Sequence, residues 1–372
     1  MNNLSEKKPM VILTGPTAVG KTSLSIKLAK QINGAIISAD SMQVYRHMDI
    51  GSAKIMPDEM HGIRHYLIDE FEPDEEFHVV KFAEKAKEYL NEIYNEGKIP
   101  IIVGGTGFYI QALLYNIDFT DQECDEAYRQ ELEHLADEKG ATYLHNMLRE
   151  VDPASADAIH TNNIKRVIRA LEFYHLSGKK ISEHNESERQ KKSPYNFAYF
   201  VLTDDRTHLY QNIDKRVDLM IEQGLVDEVL KLKEMGFHRD MVSMQGLGYK
   251  EILDHLDGKM TLEEAVYIIK RETRHFAKRQ LTWFRRERDV IWLDKQKYNY
   301  DDDKILLDMT DILKNKSILS AGENFIPGKT EFWLDKQKYN YDDDKILLDM
   351  TDILKNKSIL SAGENFIPGK TE

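Results

Sequence analysis

Residues 15–22 read Gly15-Pro16-Thr17-Ala18-Val19-Gly20-Lys21-Thr22, the pattern G-x-x-x-x-G-K-[ST]. Its glycines let the backbone curl until successive N–H groups point inward, and with a helix N-terminus behind them they form an anion cradle. Lys21 adds a positive charge, and the Thr22 hydroxyl is suited to Mg²⁺. The chemistry implied is phosphate binding. It does not name a reaction, because the same loop serves nucleotide-dependent kinases and hydrolases.

Two further stretches could complete a site. Asp40-Ser41-Met42-Gln43-Val44-Tyr45 places a carboxylate where it can reach Mg²⁺ through water or take a proton from an acceptor; a turn or helix-capping Asp is the alternative. Val103-Gly104-Gly105-Thr106-Gly107-Phe108-Tyr109 lets a substrate approach the backbone, with Thr106 able to donate or accept a hydrogen bond. Taken alone, a tight strand-to-helix turn explains it equally well. Arg206 and Arg216 fall in a helical pattern, where an Arg could grip a diphosphate or form a surface ion pair.

These residues need elements to hold them. Residues 10–13 are a short apolar run before the glycine loop, and Leu24, Leu28 and Ile32 follow at helical spacing. Residues 35–38 read as a second strand leading to Asp40, 81–96 as an amphipathic helix closed by Gly97, and 99–103 as a buried parallel strand. The alternation predicts an α/β fold: a P-loop NTPase-like core with a mostly parallel sheet. The polar helical stretch 119–199 reads as an insertion, with a strand returning to the core near 199–202. The expected division is 1–118 and 200–291 for the core with its C-terminal helices, 119–199 for the helical insertion, and 292–331 for a C-terminal segment. That segment is repeated residue for residue at 333–372, with Phe332 between. Natural repeats drift, so the second copy is expected to be a non-functional duplication.

With 372 residues, 41% of them hydrophobic, the chain can build a real core. The mean hydropathy is −0.55, and no run approaches the length of a membrane span. The polar start lacks the long apolar segment of a secretory signal, so a cytoplasmic, membrane-free protein is expected, acting as a monomer. The single cysteine, Cys124, reads as an ordinary side chain. The net charge of −13 argues against nucleic acid, yet residues 270–288 (KRETRHFAKRQLTWFRRER) carry eight Lys/Arg against two Glu. Such a stretch could bind phosphates or be a solvated helix face.

Together the motifs resemble the tRNA dimethylallyltransferase family, the isopentenyl-diphosphate:tRNA transferases. The likeness rests on GPTAVGKT at Gly15, DSMQVY at Asp40, RHYLID at Arg64 and VGGTGFY at Val103. It continues with KRVIRALE at Lys165, Arg216-Val217-Asp218, GLGYKE at Gly246 and KRQLTWFR at Lys278. Arg64 departs from the family, which often has His there, and receives no role. The resemblance implies a P-loop core with a helical tRNA-binding insertion, and a channel where donor and base meet. It implies that residues 15–22 hold the diphosphate of dimethylallyl diphosphate, with Mg²⁺ at Thr22. Arg216 would contact the diphosphate, Asp40 would be the general base, and Thr106 would lie beside the reacting centre. It also implies tRNA contacts, at the anticodon loop, from Asp40, Ser41, Met42, Gln43, Thr106, Arg129, Lys165, Arg166, Val167, Ile168 and Arg169. Gln43 has the amide suited to an adenine edge. The expected reaction is transfer of a dimethylallyl group to N6 of the adenosine immediately 3′ of the anticodon, releasing diphosphate. Open alternatives are an adenylate prenyltransferase acting on free AMP, ADP or ATP, a P-loop small-molecule kinase, and a nucleotide-binding switch.

Overall fold

Odd and even residues of the first strand go to different places: Met10 and Ile12 join one apolar cluster, Val11 and Leu13 another. A strand sends alternate side chains to opposite faces, so both faces of this sheet are covered, as parallel sheets require. In the computed structural model, which describes residues 7–117 and 125–319, the strands are β1 (Pro9–Thr14), β2 (Gly34–Ser38), β3 (His65–Tyr66), β4 (Ile99–Gly104), β5 (Asn196–Thr203) and β6 (Val290–Asp294). They form one six-stranded sheet in the order β3-β2-β4-β1-β5-β6, and every pairing is parallel. The α/β reading with a P-loop-like core holds.

The helices follow where the periodicity changes. α1 (Lys21–Gln31), α2 (Val79–Asn95) and α3 (Gly107–Leu114) follow β1, β3 and β4. A group of five helices comes next: α4 (Glu126–Lys139), α5 (Ala141–Val151), α6 (Pro153–Ala158), α7 (Ile164–Ser177) and α8 (Ile181–Gln190). They bury their own cluster around Leu132, Leu144, Leu148, Val167 and Leu171. Asp152 ties that group together by accepting from Ser155 Oγ and Ser182 Oγ, each at 2.7 Å. After β5 come α9 (Arg206–Glu222), α10 (Leu225–Glu234), α11 (Tyr249–Leu256), the long α12 (Leu262–Phe284) and, after β6, α13 (Asp302–Asn315).

Two strands carry too little signal to read ahead. β3 is two residues long, and the Arg64 carbonyl beside it accepts from Ile36 N–H at 2.9 Å. β6 spans the expected 291/292 boundary, so the first copy of the tail begins within the sheet. Its helix α13 is fastened to α1 by Lys27–Asp303 at 2.8 Å and Gln31–Thr310 at 2.9 Å. Cys124 and the second copy of the tail lie outside the described residues. Among the described residues no helix is long and apolar enough to cross a membrane.

Candidate active site

The loops leaving β1, β2 and β4 stand side by side, because these strands are neighbours and run the same way. In open α/β sheets this carboxyl edge is where ligands bind. The first loop is the glycine loop. Gly20, with φ 97°, turns the chain into α1, and Val19 is buried beneath it at 2% exposure. Lys21 curls back over the loop, donating to Gly15 O at 3.0 Å and Pro16 O at 2.8 Å. Burial pushes its ammonium down to about 8; Arg216 adds to this and Asp40 opposes it. Burial likewise holds the Arg216 guanidinium below its ordinary value, with Asp40 again opposing. Lys21, Arg216 and Asp40, from α1, α9 and the end of β2, therefore share one electrostatic environment, although the chain separates them widely.

Asp40 Oδ1 accepts from Met42 N–H at 2.9 Å and Gln43 N–H at 3.4 Å. The turn reading is met: the backbone of its own turn holds and aims the carboxylate. Thr106 immediately precedes α3, and its N–H donates to Ala39 O at 3.1 Å, so the Thr106 loop is bonded to the residue before Asp40. Ser41, Met42 and Gln43 are half-buried. Gln43 Nε2 donates to Ala53 O at 3.0 Å, which leaves its Oε1 as the atom suited to meet a base.

A cleft of about 890 Å³ runs between α9, α10 and residues 47–59, within the range of ligand pockets. Thr22 and Arg216 line it; Lys21, Asp40 and Thr106 do not. Of the groups that share the Lys21 environment, the cleft therefore reaches only Arg216. One wall of the cleft is held by a residue the sequence did not single out. Glu228 accepts from the N–H groups of Asp49 and Ile50 at 2.9 and 2.7 Å, and from Tyr249 Oη at 2.8 Å. Nothing in the local sequence around Glu228 distinguishes it from an ordinary helix-surface acid.

The residues expected at a tRNA surface divide. On α7, Lys165 and Arg166 are exposed. Val167 and Ile168 are 0% and 4% exposed and pack into the helical cluster, so their side chains do not face a ligand: the helix turns them inward while their neighbours point out. Arg129 and Arg169 both bind Glu172, which is buried. In the basic stretch of α12, Lys270 and Arg274 are bound at 2.5 Å to Asp218 and Asp214 of α9, which makes that end a helix–helix contact. Arg285 and Arg286, at its other end, are exposed.

A family model described as IPP transferase matches residues 43–287. The chain belongs to the IPP transferase family. It is 65% identical over 312 residues to a protein of Lachnoclostridium phytofermentans named tRNA dimethylallyltransferase, covering 84% of this chain and 99% of that one. A protein of the same name from Clostridioides difficile is 53% identical over 312 residues, covering 83% of this chain and all of that one. The solved structure of a full-length tRNA isopentenylpyrophosphate transferase from Bacillus halodurans superimposes with a TM-score of 0.63 at 46% identity, over 84% of this chain and 98% of that one. A eukaryotic dimethylallyltransferase solved while acting on tRNA superimposes with a TM-score of 0.70 at 29% identity, over 83% and 80%. The IPP transferase match begins at Gln43, after the glycine loop and Asp40.

Proposed function

We propose that this IPP transferase moves a dimethylallyl group from dimethylallyl diphosphate to N6 of the adenosine immediately 3′ of the anticodon in tRNA, releasing diphosphate. The observation that carries this reading is the shared environment of Lys21, Arg216 and Asp40 at the carboxyl edge of the sheet. Two cations and one carboxylate suit a reaction in which an anion departs and a proton is removed.

The allylic C–O bond breaks, and its electron pair leaves with the diphosphate. Lys21, Arg216 and the loop N–H groups stabilise that charge as it develops. The exocyclic amine of adenine forms the new C–N bond, and its proton passes to Asp40, whose orientation is fixed by the turn to Met42. Thr106, bonded through its N–H to Ala39 O, lines the same centre. Mg²⁺ fits at Thr22, whose exposed side chain lines the same cleft as Arg216. Among the described residues no group of three or more His, Cys, Asp or Glu forms a metal cage. The ion would therefore rest on the Thr22 hydroxyl and ligand oxygens, as Mg²⁺ commonly does. Bound there, it would help neutralise the leaving diphosphate.

Lys165, Arg166, Arg285 and Arg286 are the exposed cations proposed to meet tRNA phosphates, with Gln43 reading the base. Incubating the protein with radiolabelled dimethylallyl diphosphate, Mg²⁺ and either unmodified tRNA or AMP tests the reading. Label on tRNA at the adenosine 3′ of the anticodon is expected. Label on AMP would move the protein to an adenylate prenyltransferase, and no label on either would reopen the kinase alternative.

A further inference from the structure

Gln280 lies in the basic stretch of α12, between Arg279 and Leu281, yet it is only 6% exposed. Its side-chain oxygen accepts from Thr17 N–H at 2.9 Å, and its nitrogen donates to Gly105 O at 3.0 Å. One amide thus joins the glycine loop after β1 to the Thr106 loop after β4.

We infer that Gln280 is a positioning residue for the transfer, a clasp that fixes the diphosphate cradle relative to the loop carrying Thr106. This rests on the transferase reading above. β1 and β4 are paired as far as Thr14 and Gly104, and Thr14 Oγ1 donates to Gly104 O at 2.6 Å. Beyond that point the ladder ends and the sheet no longer fixes the spacing of the two loops. Gln280 restores the connection where the ladder stops. A side-chain amide suits this because it carries an acceptor and a donor at a fixed separation. The continuity runs on: Thr106 N–H donates to Ala39 O, next to Asp40. A chain of contacts therefore leads from Thr17 through Gln280 and Gly105 to Thr106, Ala39 and Asp40, from the leaving-group end of the centre to the proton-accepting end.

The fit at the far loop is tight. A β-carbon on Gly105 would come within 2.1 Å of Gln280 Nε2, and one on Gly107 within 2.2 Å of the Trp283 ring. Both glycines flanking Thr106 are pressed by α12, one turn apart on the same helix face. A residue serving only to fill space would be apolar here, since a buried amide is costly unless both its ends are bonded.

The test compares Gln280→Met, which keeps the volume and loses both hydrogen bonds, with Gly105→Ala, which pushes the amide away from the other side. Misplacement of reacting groups by about 1 Å can cost about 10²-fold in rate. Each variant is therefore expected to lose about 10² in kcat, with KM for tRNA and for dimethylallyl diphosphate changed by no more than about threefold. The double variant should lose no more than either single one, because both break the same contact. Hydrogen exchange of the Thr17 amide gives a readout independent of chemistry: slow in the wild type and fast in Gln280→Met. Full turnover in Gln280→Met or Gly105→Ala, a loss confined to KM, additive losses, or a fast-exchanging Thr17 amide in the wild type would each overturn the inference. If Gln280→Met does not fold, Gly105→Ala and wild-type exchange still decide it. No transfer by a wild type with a protected Thr17 amide would instead overturn the transferase reading, and with it the role in transfer, while the clasp itself stood.

Discussion

Arg129 holds Glu172 through one nitrogen placed 3.0 and 2.9 Å from the two carboxylate oxygens. Glu172 is fully buried and also receives Arg169 at 2.9 Å. Burial alone would raise its carboxyl, but the hydrogen bonds from Arg129 and Arg169 outweigh it and hold the group below its usual range. Two residues expected to touch tRNA thus also hold the helical group together. Arg129→Ala is expected to lower stability by about 1–3 kcal/mol, the usual cost of stripping a partner from a buried polar group. Thermal unfolding measured beside tRNA affinity should show both falling. Lys165→Ala, on the exposed face of α7, should weaken tRNA binding and leave the melting temperature unchanged.

Asp40 both aims a turn and is proposed to accept a proton, and one substitution separates the two. Asp40→Asn keeps an acceptor for Met42 N–H and removes the base. Turnover is expected to fall by about 10²–10⁴ with unchanged thermal stability. Wild-type kcat in this variant would remove Asp40 from the mechanism.

Lys21 titrates at about 8. Its charge is present below that pH and lost as pH rises through it, so affinity for inorganic pyrophosphate should weaken above about pH 8. Lys21→Arg, charged throughout, should lack that inflection, and any pH dependence it retains belongs to the ligand. Calorimetric titration of both proteins between pH 7 and 9.5 checks this.

Burial pushes the Glu287 carboxyl up to about 7, against the opposing Trp283 N–H and Arg288 charge. Its ordinary value is 4.5, so between these values the folded chain binds more protons than the unfolded one. Glu287 therefore makes stability fall as pH rises from 4.5 to about 7, and adds no further slope above that. Urea unfolding across this range should show the slope reduced in Glu287→Gln.

The basic stretch 270–288 should act unevenly. Arg285→Ala is expected to make the dependence of log K for tRNA on log salt shallower by about 0.7. Lys270→Ala should leave it unchanged, because Lys270 is bound to Asp218. Filter binding over a salt series distinguishes them, and equal slopes for the two variants would sink the assignment.

The sequence by itself determined what depends on local pattern. The glycine loop, the strands ending near Asp40 and Gly104, and the helical character of the region after them follow from short spacings and turn chemistry. So does the family likeness, carried by compact motifs. Through that likeness it also assigned Lys21, Asp40, Thr106 and Arg216 to one site. Tertiary structure decided which side chains meet. Val167 and Ile168 share a helix with Lys165 and Arg166, and only the packing of that helix decides which pair faces solvent. Lys270 and Arg285 share one basic stretch, and only the position of α9 neutralises the first. Gln280, inside a basic stretch of sequence, is buried because two loops from distant strands converge on it. These outcomes depend on contacts between residues remote in the chain, which periodicity does not encode. The physical reason is that burial and pairing belong to the assembled surfaces, whereas helix, strand and turn belong largely to the segment itself.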